Sequence, residues 1–562
     1  MSTPVEKVKK QIENVLLSAA EKAAQNGEWE SAELPRFSID VPQNREHGDY
    51  AVNAAMVWAR ALHKAPRAIA EVLLSFADFS GTYIETAEIA GPGFINMRLG
   101  DRFYADTVAA VLSSGADYGK SDYGKGERVL VEFVSANPTG PMHIGNARGG
   151  ALGDCLAAVL SAAGYYTERE FYINDAGNQI NKFALSLDLR YQQIYKDGVE
   201  MPEDSYHGDD IVSHAKAFAE INGDSYMKKS QKERRDALVA FALPKNIQAL
   251  HDDLKKYRIE YDTWFKESSL HKSGETTRII ELLKNSGHTY EEEGALWFKA
   301  TDFGCDKDFV LVRANGVPTY VVPDIAYHYN KLEVRKFDRA IDVLGADHHG
   351  YVPRLKAALT ALKVDASRLD AVLMQMVRLV REGQVIKASK RSGKAITLVT
   401  LLDEVPIDAA RFFFNLREPN SHFDFDLDLA VSESSSNPVY YVQYAHARIC
   451  SIIRNSAEEG VEVKPAKAEE LALLKAAEER ELILYLAALP SEIIQAAKTY
   501  DPARITHYVV ELATKFHKFY SACRVRGEDA ALTNARLNLC VAVKTVIKNI
   551  LDMLKVEAPE KM

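Results

Sequence analysis

The chain has 562 residues, is 47% hydrophobic, and carries a formal net charge of −10 with a sequence pI near 5.9. That length supports several hydrophobic cores, about three or four domains by size alone. The acidic balance argues against a small dedicated nucleic-acid binder, although a large acidic protein can carry a local basic track.

Residues 1–115 read as a first α+β unit. An amphipathic helix (MSTPVEKVKKQIENVLLSAAEKAA) has no continuous apolar core, so it predicts neither a signal peptide nor an anchor. A second helix is expected around PRAIAEVLLSF, and short strands around TAEIAGPGFINMRLG. The Gly-, Ser-, Asp- and Lys-rich stretch at 113–128 marks a boundary.

Residues 128–174 have the densest pattern. RVLVEFVS alternates as a buried strand, and the breaker-rich turn ANPTGP follows. His143, Ile144, Gly145 and Asn146 lead into a helix whose apolar residues Leu152, Cys155, Leu156, Val159, Leu160 and Ala163 fall at helical spacing, with Gly164 at its C-cap. A second strand is expected at 167–173. Strand, Gly-containing turn, helix and strand form a βαβ unit, which needs a parallel sheet and offers an anion the free N–H groups of a helix start. By itself such a turn is equally an ordinary βα connection.

Residues at about 185–300 are charged and helical, and read as an insertion between two halves of the sheet. The Lys228–Arg235 cluster reads better as a solvated helix face than as a phosphate patch. Strand character returns in DFVLVRANG, VPTYVVPDIAYHYNK, RAIDVLGADHHG and MQMVRLV, which puts Asn137, Asp324 and His348 just past strand ends, where parallel sheets gather ligand groups. The adjacent pair His348 and His349 has no supporting ligand set, so no protein-bound metal is expected. The stretch at 435–562 repeats apolar residues at helical spacing and predicts an all-α bundle. The five cysteines are scattered, without knuckle or redox spacing, and fit free thiols in a cytoplasmic protein. No run approaches the roughly 18 apolar residues of a membrane span.

ANPTGPMHIGNARGGALGD resembles the His-Ile-Gly-His signature of class I aminoacyl-tRNA synthetases, and its flanks VEFVSANPTGPMHIGN and YINDAGNQI resemble the bacterial type of arginyl-tRNA synthetase. Far downstream, KASKR within VREGQVIKASKRSGKAITL is similar to the Lys-Met-Ser-Lys loop of that class. Two unrelated motifs in the right order are far more specific than either alone. The departures are Asn146 for the second histidine and Ala388 for the methionine.

The resemblance implies an α/β fold: a Rossmann-like parallel-sheet catalytic domain (120–430) with its insertion, an N-terminal add-on domain holding the tRNA elbow, and a helical anticodon-binding domain. It implies arginine–tRNA ligase activity, in which the arginine carboxylate attacks the α-phosphorus of ATP and the terminal adenosine of tRNA(Arg) then takes the arginyl group. ATP arrives with Mg²⁺ held mainly by phosphate and water, and no organic cofactor is expected. His143, Asn146, Lys387 and Lys390 are the implied catalytic residues, and Gly145 and Ser389 join them in holding ATP. Glu132, Asn137, His143, Tyr320, Asp324 and His348 match arginine-pocket positions. Phe94 and Asn96 match D-loop contacts, and Tyr441, Tyr444 and Tyr520 match anticodon contacts; read as residues alone, Phe94 and Asn96 fit core roles better, and each tyrosine fits helix packing at least as well. The implied protein is a monomer with L-arginine, ATP and tRNA(Arg) as partners and none in the membrane. Two other readings stay open: a different nucleotidyl-transferring ligase of the same fold, and a catalytically inactive RNA-binding paralogue. The zinc ligands of cysteine-specific relatives are missing, and His143, Lys387 and Lys390 are all present.

Overall fold

The computed structural model describes residues 3–42, 44–386 and 396–562. Its centre is a five-stranded parallel sheet: β1 (Arg128–Glu132), β2 (Tyr166–Ile173), β3 (Thr263–Lys266), β4 (Arg339–Gly345) and β5 (Leu369–Met374). The spatial order is β5-β4-β1-β2-β3. The chain therefore builds outward from β1 to one side, then returns to build from β1 to the other. The switch lies between β1 and β4, where parallel sheets open a crevice beyond the strand ends.

Helix α1 (Ile144–Ala162) links β1 to β2, and Gly164 follows its C-cap at φ +94°, where an L side chain would be strained. Gly153 faces the exit of β1. A Cβ there would stand 2.2 Å from the Phe133 ring, so only glycine lets α1 lie this close to the strand.

Three expectations need correction. VVPDIAYHY is a helix, α2 (Val321–Tyr329), running on into a π-helical turn at Asn330–Val334. It is buried on nearly every side, so its β-branched and aromatic residues lack the one-faced periodicity that marks a helix. Pro323 is tolerated because it sits in the first turn. MQMVRLV is two strands: β5 ends at Met374, and Val377–Arg381 joins a small sheet with Gln384–Val385 and Phe423–Asp426. DFVLVRANG contributes Phe309–Val312 to a separate three-stranded antiparallel sheet, while the charged stretch before it supplies the edge strand β3.

The N-terminal unit packs helices Pro4–Gln25, Ala54–Leu62 and Pro66–Phe76 on a four-stranded antiparallel sheet. The C-terminal bundle comprises α3 (Pro438–Glu458), α4 (Ala477–Thr499), α5 (Ala503–Ala522) and α6 (Ala530–Leu554). The boundary stretch after the first unit lies against this bundle. The Tyr118 hydroxyl donates to the Leu486 carbonyl at 3.0 Å, and the Asn549 amide donates to the Gly115 carbonyl at 2.9 Å. All five cysteines are free thiols, four of them buried. Among the described residues no helix is long and apolar enough to cross a membrane.

One buried ionic cluster ties α1 to the bundle. Asp154 meets Arg411 at 2.5 Å, Arg169 at 2.8 Å and Lys555, just past α6, at 3.4 Å. Arg411 also donates to the carbonyls of Leu554 and Tyr257. Burial pushes the Asp154 carboxyl up, but the three cations outweigh it and hold it below the usual carboxylate range. A depressed folded pKa means folding favours the ionised form. This stabilisation is full above the unfolded value of about 3.9 and is lost as pH falls through the folded value. Arg411→Met is expected to cost about 3–5 kcal/mol, because it strips a buried carboxylate of its closest partner. Urea denaturation near neutral pH measures this; a loss below about 1 kcal/mol would mean that Arg169 and Lys555 suffice.

Candidate active site

The chain leaves β1 through a strained turn. Val134 and Ser135 have φ of +70° and +40°, rare for non-glycine residues and costly for a β-branched one. The turn swings the Ser135 hydroxyl back to donate to Glu132 at 2.8 Å and to accept from the Tyr172 N–H at 3.1 Å. The ends of β1 and β2 are thereby joined. Asn137, exposed at the crevice, lies 3.3 Å from the Asn174 amide, which stands 3.0 Å from Glu267.

His143 caps α1 and is exposed. Its N–H donates to the Asn146 side-chain oxygen at 3.0 Å. Asn146 thus spends its acceptor on the helix start and keeps its NH₂ as a donor. A Cβ on Gly145 would meet nothing within 4 Å, so the backbone borders open space there. Arg148 is buried one turn on and binds the carbonyls of Gln375, Glu418 and Ser421, which locks α1 to the end of β5; burial lowers its pKa to about 10.

Lys387, Ser389 and Lys390 lie outside the described residues. The Ile386 N–H donates to Leu379 at 2.8 Å. Thr397 pairs with His143 in an isolated β-bridge, the Ile144 N–H donates to Ile396, and the Leu398 N–H donates to Met142 at 2.9 Å. The segment from Ile396 to Leu398, remote in sequence, therefore shares a local hydrogen-bonded frame with the His143 motif.

Across the crevice, Asp324 lies in the first turn of α2 and not at a strand end. It accepts the hydroxyl of Tyr351. Tyr351 stacks 6.0 Å from Tyr320, whose residue is 72% exposed, and meets His348 edge-on at 6.2 Å. His348 sits in a short turn directly after β4. Asp324, Tyr320 and His348 are thus gathered around Tyr351, which the sequence reading missed. Its position directly after the strand-end run DHHG was the available signal.

Glu132 is buried, with its oxygens engaged by Ser135 and by Lys331 at 2.5 Å. Lys331 also meets Asp342 at 2.9 Å. The His328 ring places Nε2 2.7 Å from the Asp342 carboxylate and Nδ1 2.8 Å from the Asp324 carbonyl. Glu132, His328 and Asp342 have the geometry of a metal-ligand triad, but the Lys331 ammonium sits among them and supplies the positive charge.

The tRNA-facing candidates fall into two groups. On the strand Phe94–Leu99, Phe94 and Asn96 share the face opposite the buried Ile95, Met97 and Leu99; Phe94 is 37% exposed and Asn96 only 5%. In the bundle, Tyr441 and Tyr444 flank His517 at 5.1 and 6.0 Å. Arg448 lies over both Tyr444 and Tyr520. The three tyrosines thus form one aromatic and cationic patch, with His517 and Arg448 as members that the sequence reading did not single out.

A parallel sheet whose strand order switches direction beside a histidine-capped helix, joined to a helical bundle, has the architecture of a class I aminoacyl-tRNA synthetase, the class whose catalytic-domain model matches this chain. Family models agree: the arginyl tRNA synthetase N-terminal domain matches residues 6–99, the class I (R) catalytic domain 107–450, and the DALR anticodon-binding domain 442–562. The arginine–tRNA ligase of Caldanaerobacter subterraneus is 54% identical and that of Acetivibrio thermocellus 51%, each with 100% of both chains covered. The arginyl-tRNA synthetase structure of Thermus thermophilus shares the fold (TM-score 0.73, 23% identity, 98% of this chain and 100% of that one). The chain belongs to the arginyl-tRNA synthetase family of class I ligases.

Proposed function

We propose that the crevice activates L-arginine with ATP, giving arginyl-adenylate and pyrophosphate, and that arginine then passes to the 3′-terminal adenosine of tRNA(Arg). The observation that carries this reading is the hydrogen-bonded frame that joins the segment Ile396–Leu398 to the His143 motif at the start of α1. Nucleotidyl transfer needs positioning, and positive charge where negative charge grows. His143 donates to phosphate oxygens, Gly145 admits the adenosine, Asn146 offers its NH₂, and Lys387, Ser389 and Lys390 close on the leaving pyrophosphate. No general base is required, because the arginine carboxylate is already ionised. Mg²⁺ comes with ATP, held by phosphate and water.

In the pocket, Asp324 receives the guanidinium, with Glu132 as the buried carboxylate behind it. Tyr320 covers the aliphatic stem, and Asn137 and His348 hold the α-amino and carboxylate end. Phe94 and Asn96 meet the tRNA elbow, and Tyr441, Tyr444 and Tyr520 stack anticodon bases. This reading divides the chain at about 115–120 and 430–435 and makes it a cytoplasmic monomer.

The test is ATP–pyrophosphate exchange with arginine, lysine and canavanine, each with and without tRNA. Exchange is expected with arginine and not with lysine, whose compact ammonium cannot bridge a carboxylate bidentately. No exchange with arginine in either condition, from folded protein that still binds tRNA, would leave only an RNA-binding role.

A further inference from the structure

Five charged groups meet at the floor of the arginine pocket: Glu132 from β1, Asp324, His328 and Lys331 from the α2 helix and its extension, and Asp342 from β4. Lys331 is fully buried and spans Glu132 and Asp342 at 2.5 and 2.9 Å, its ammonium 4.1 Å from the centre of the Tyr327 ring. Both ring nitrogens of His328 face oxygen acceptors: Nδ1 the Asp324 carbonyl, which can only accept, with that residue's carboxylate 3.2 Å away, and Nε2 the Asp342 carboxylate at 2.7 Å, closer than the Lys331 ammonium at 3.4 Å. Two acceptors require two N–H groups, which makes the ring an imidazolium. Burial and Lys331 press it toward neutrality, but Asp342 and Asp324 outweigh them and its pKa stands at about 10. The other charges nearby are paired among themselves. Glu170 meets Arg335 at 2.6 Å and accepts the Tyr327 hydroxyl, and Glu267 lies beside His271 and Asn174.

We propose that Lys331 is a positioning residue for arginine binding: its ammonium fixes Glu132 and, through Asp342 and His328, holds Asp324, so that the cluster offers one net negative charge to the incoming guanidinium. Three carboxylates stand against two cations, and the guanidinium closes the balance. Without Lys331, Glu132 and Asp342 would repel each other in a buried site, and Glu132 would take up a proton or turn away. This inference rests on the pocket assignment proposed above.

Two experiments test it. The first uses the unaltered protein: calorimetry of arginine binding in two buffers of different ionisation enthalpy at one pH. A cluster already charged as described exchanges almost no protons on binding. Release approaching one proton per arginine would overturn the proposal, since it means that a carboxyl stays protonated until the guanidinium arrives. The second uses Lys331→Met/Asp342→Asn, which removes one charge of each sign and leaves the net charge unchanged. Replacing a buried pair this way is often neutral for stability, which a thermal melt checks. The KM for arginine is expected to rise at least about tenfold, with kcat and the KM for ATP within about threefold. An unchanged KM for arginine in the folded double variant would overturn the positioning role. Asp324→Asn separates the two readings. If it leaves the KM for arginine unchanged, the pocket assignment itself fails; if it raises that KM while the double variant does not, only the role of Lys331 falls.

Discussion

His143→Ala is expected to slow arginine-dependent ATP–pyrophosphate exchange by about 10²–10³, the effect of removing one donor aimed at developing negative charge, about 2.7–4 kcal/mol. The side chain is exposed at the start of α1, so its loss opens no cavity. The helix start also keeps its order, because the bond from the His143 N–H to Asn146 is a backbone donation that alanine preserves. The variant should therefore melt with the unaltered protein while losing activity. The KM for arginine should move far less, since the carboxylates proposed for the pocket belong to β1, α2 and β4. Exchange within about threefold of normal would mean that the phosphates are held elsewhere.

The second large effect is expected at Asp324. Asp324→Asn keeps the size of the side chain and its acceptor toward Tyr351, but removes the charge and one of the two acceptors that a guanidinium fork engages. Truncating one partner of a desolvated charge pair costs about 2–5 kcal/mol, so the KM for arginine should rise by about two orders of magnitude, with the KM for ATP unchanged. Steady-state exchange over a wide range of arginine concentration measures this. An unchanged KM would mean that the guanidinium is recognised outside this pocket, because both oxygens of Glu132 are already engaged inside the protein and cannot take over.

The two predictions differ in how far the sequence alone reached them. His143 was legible locally: a strand, a breaker-rich turn and a helix start in sequential order, with its partner motif recognisable downstream. Asp324 was singled out by resemblance but was assigned the wrong element. Read with the two-residue period of a strand, Asp324 and His328 share one face and Lys331 falls on the other. Read as a helix, spacings of four and three bring all three to one face. The amphipathic signal that would have decided between them is missing, because α2 is covered on nearly every side.

By itself, the sequence determined the βαβ start of the catalytic sheet, the helical C-terminal bundle and the pairing of two motifs, since each is written in neighbouring residues. Only the tertiary structure decided which charges meet. Lys331 and Glu132 are 199 positions apart, and Arg411 and Asp154 are 257 apart. Local periodicity carries no information about contacts closed by sheet order and domain packing. The contacts of the buried cations that offset part of this site's negative charge became visible only when β4 came to lie against β1.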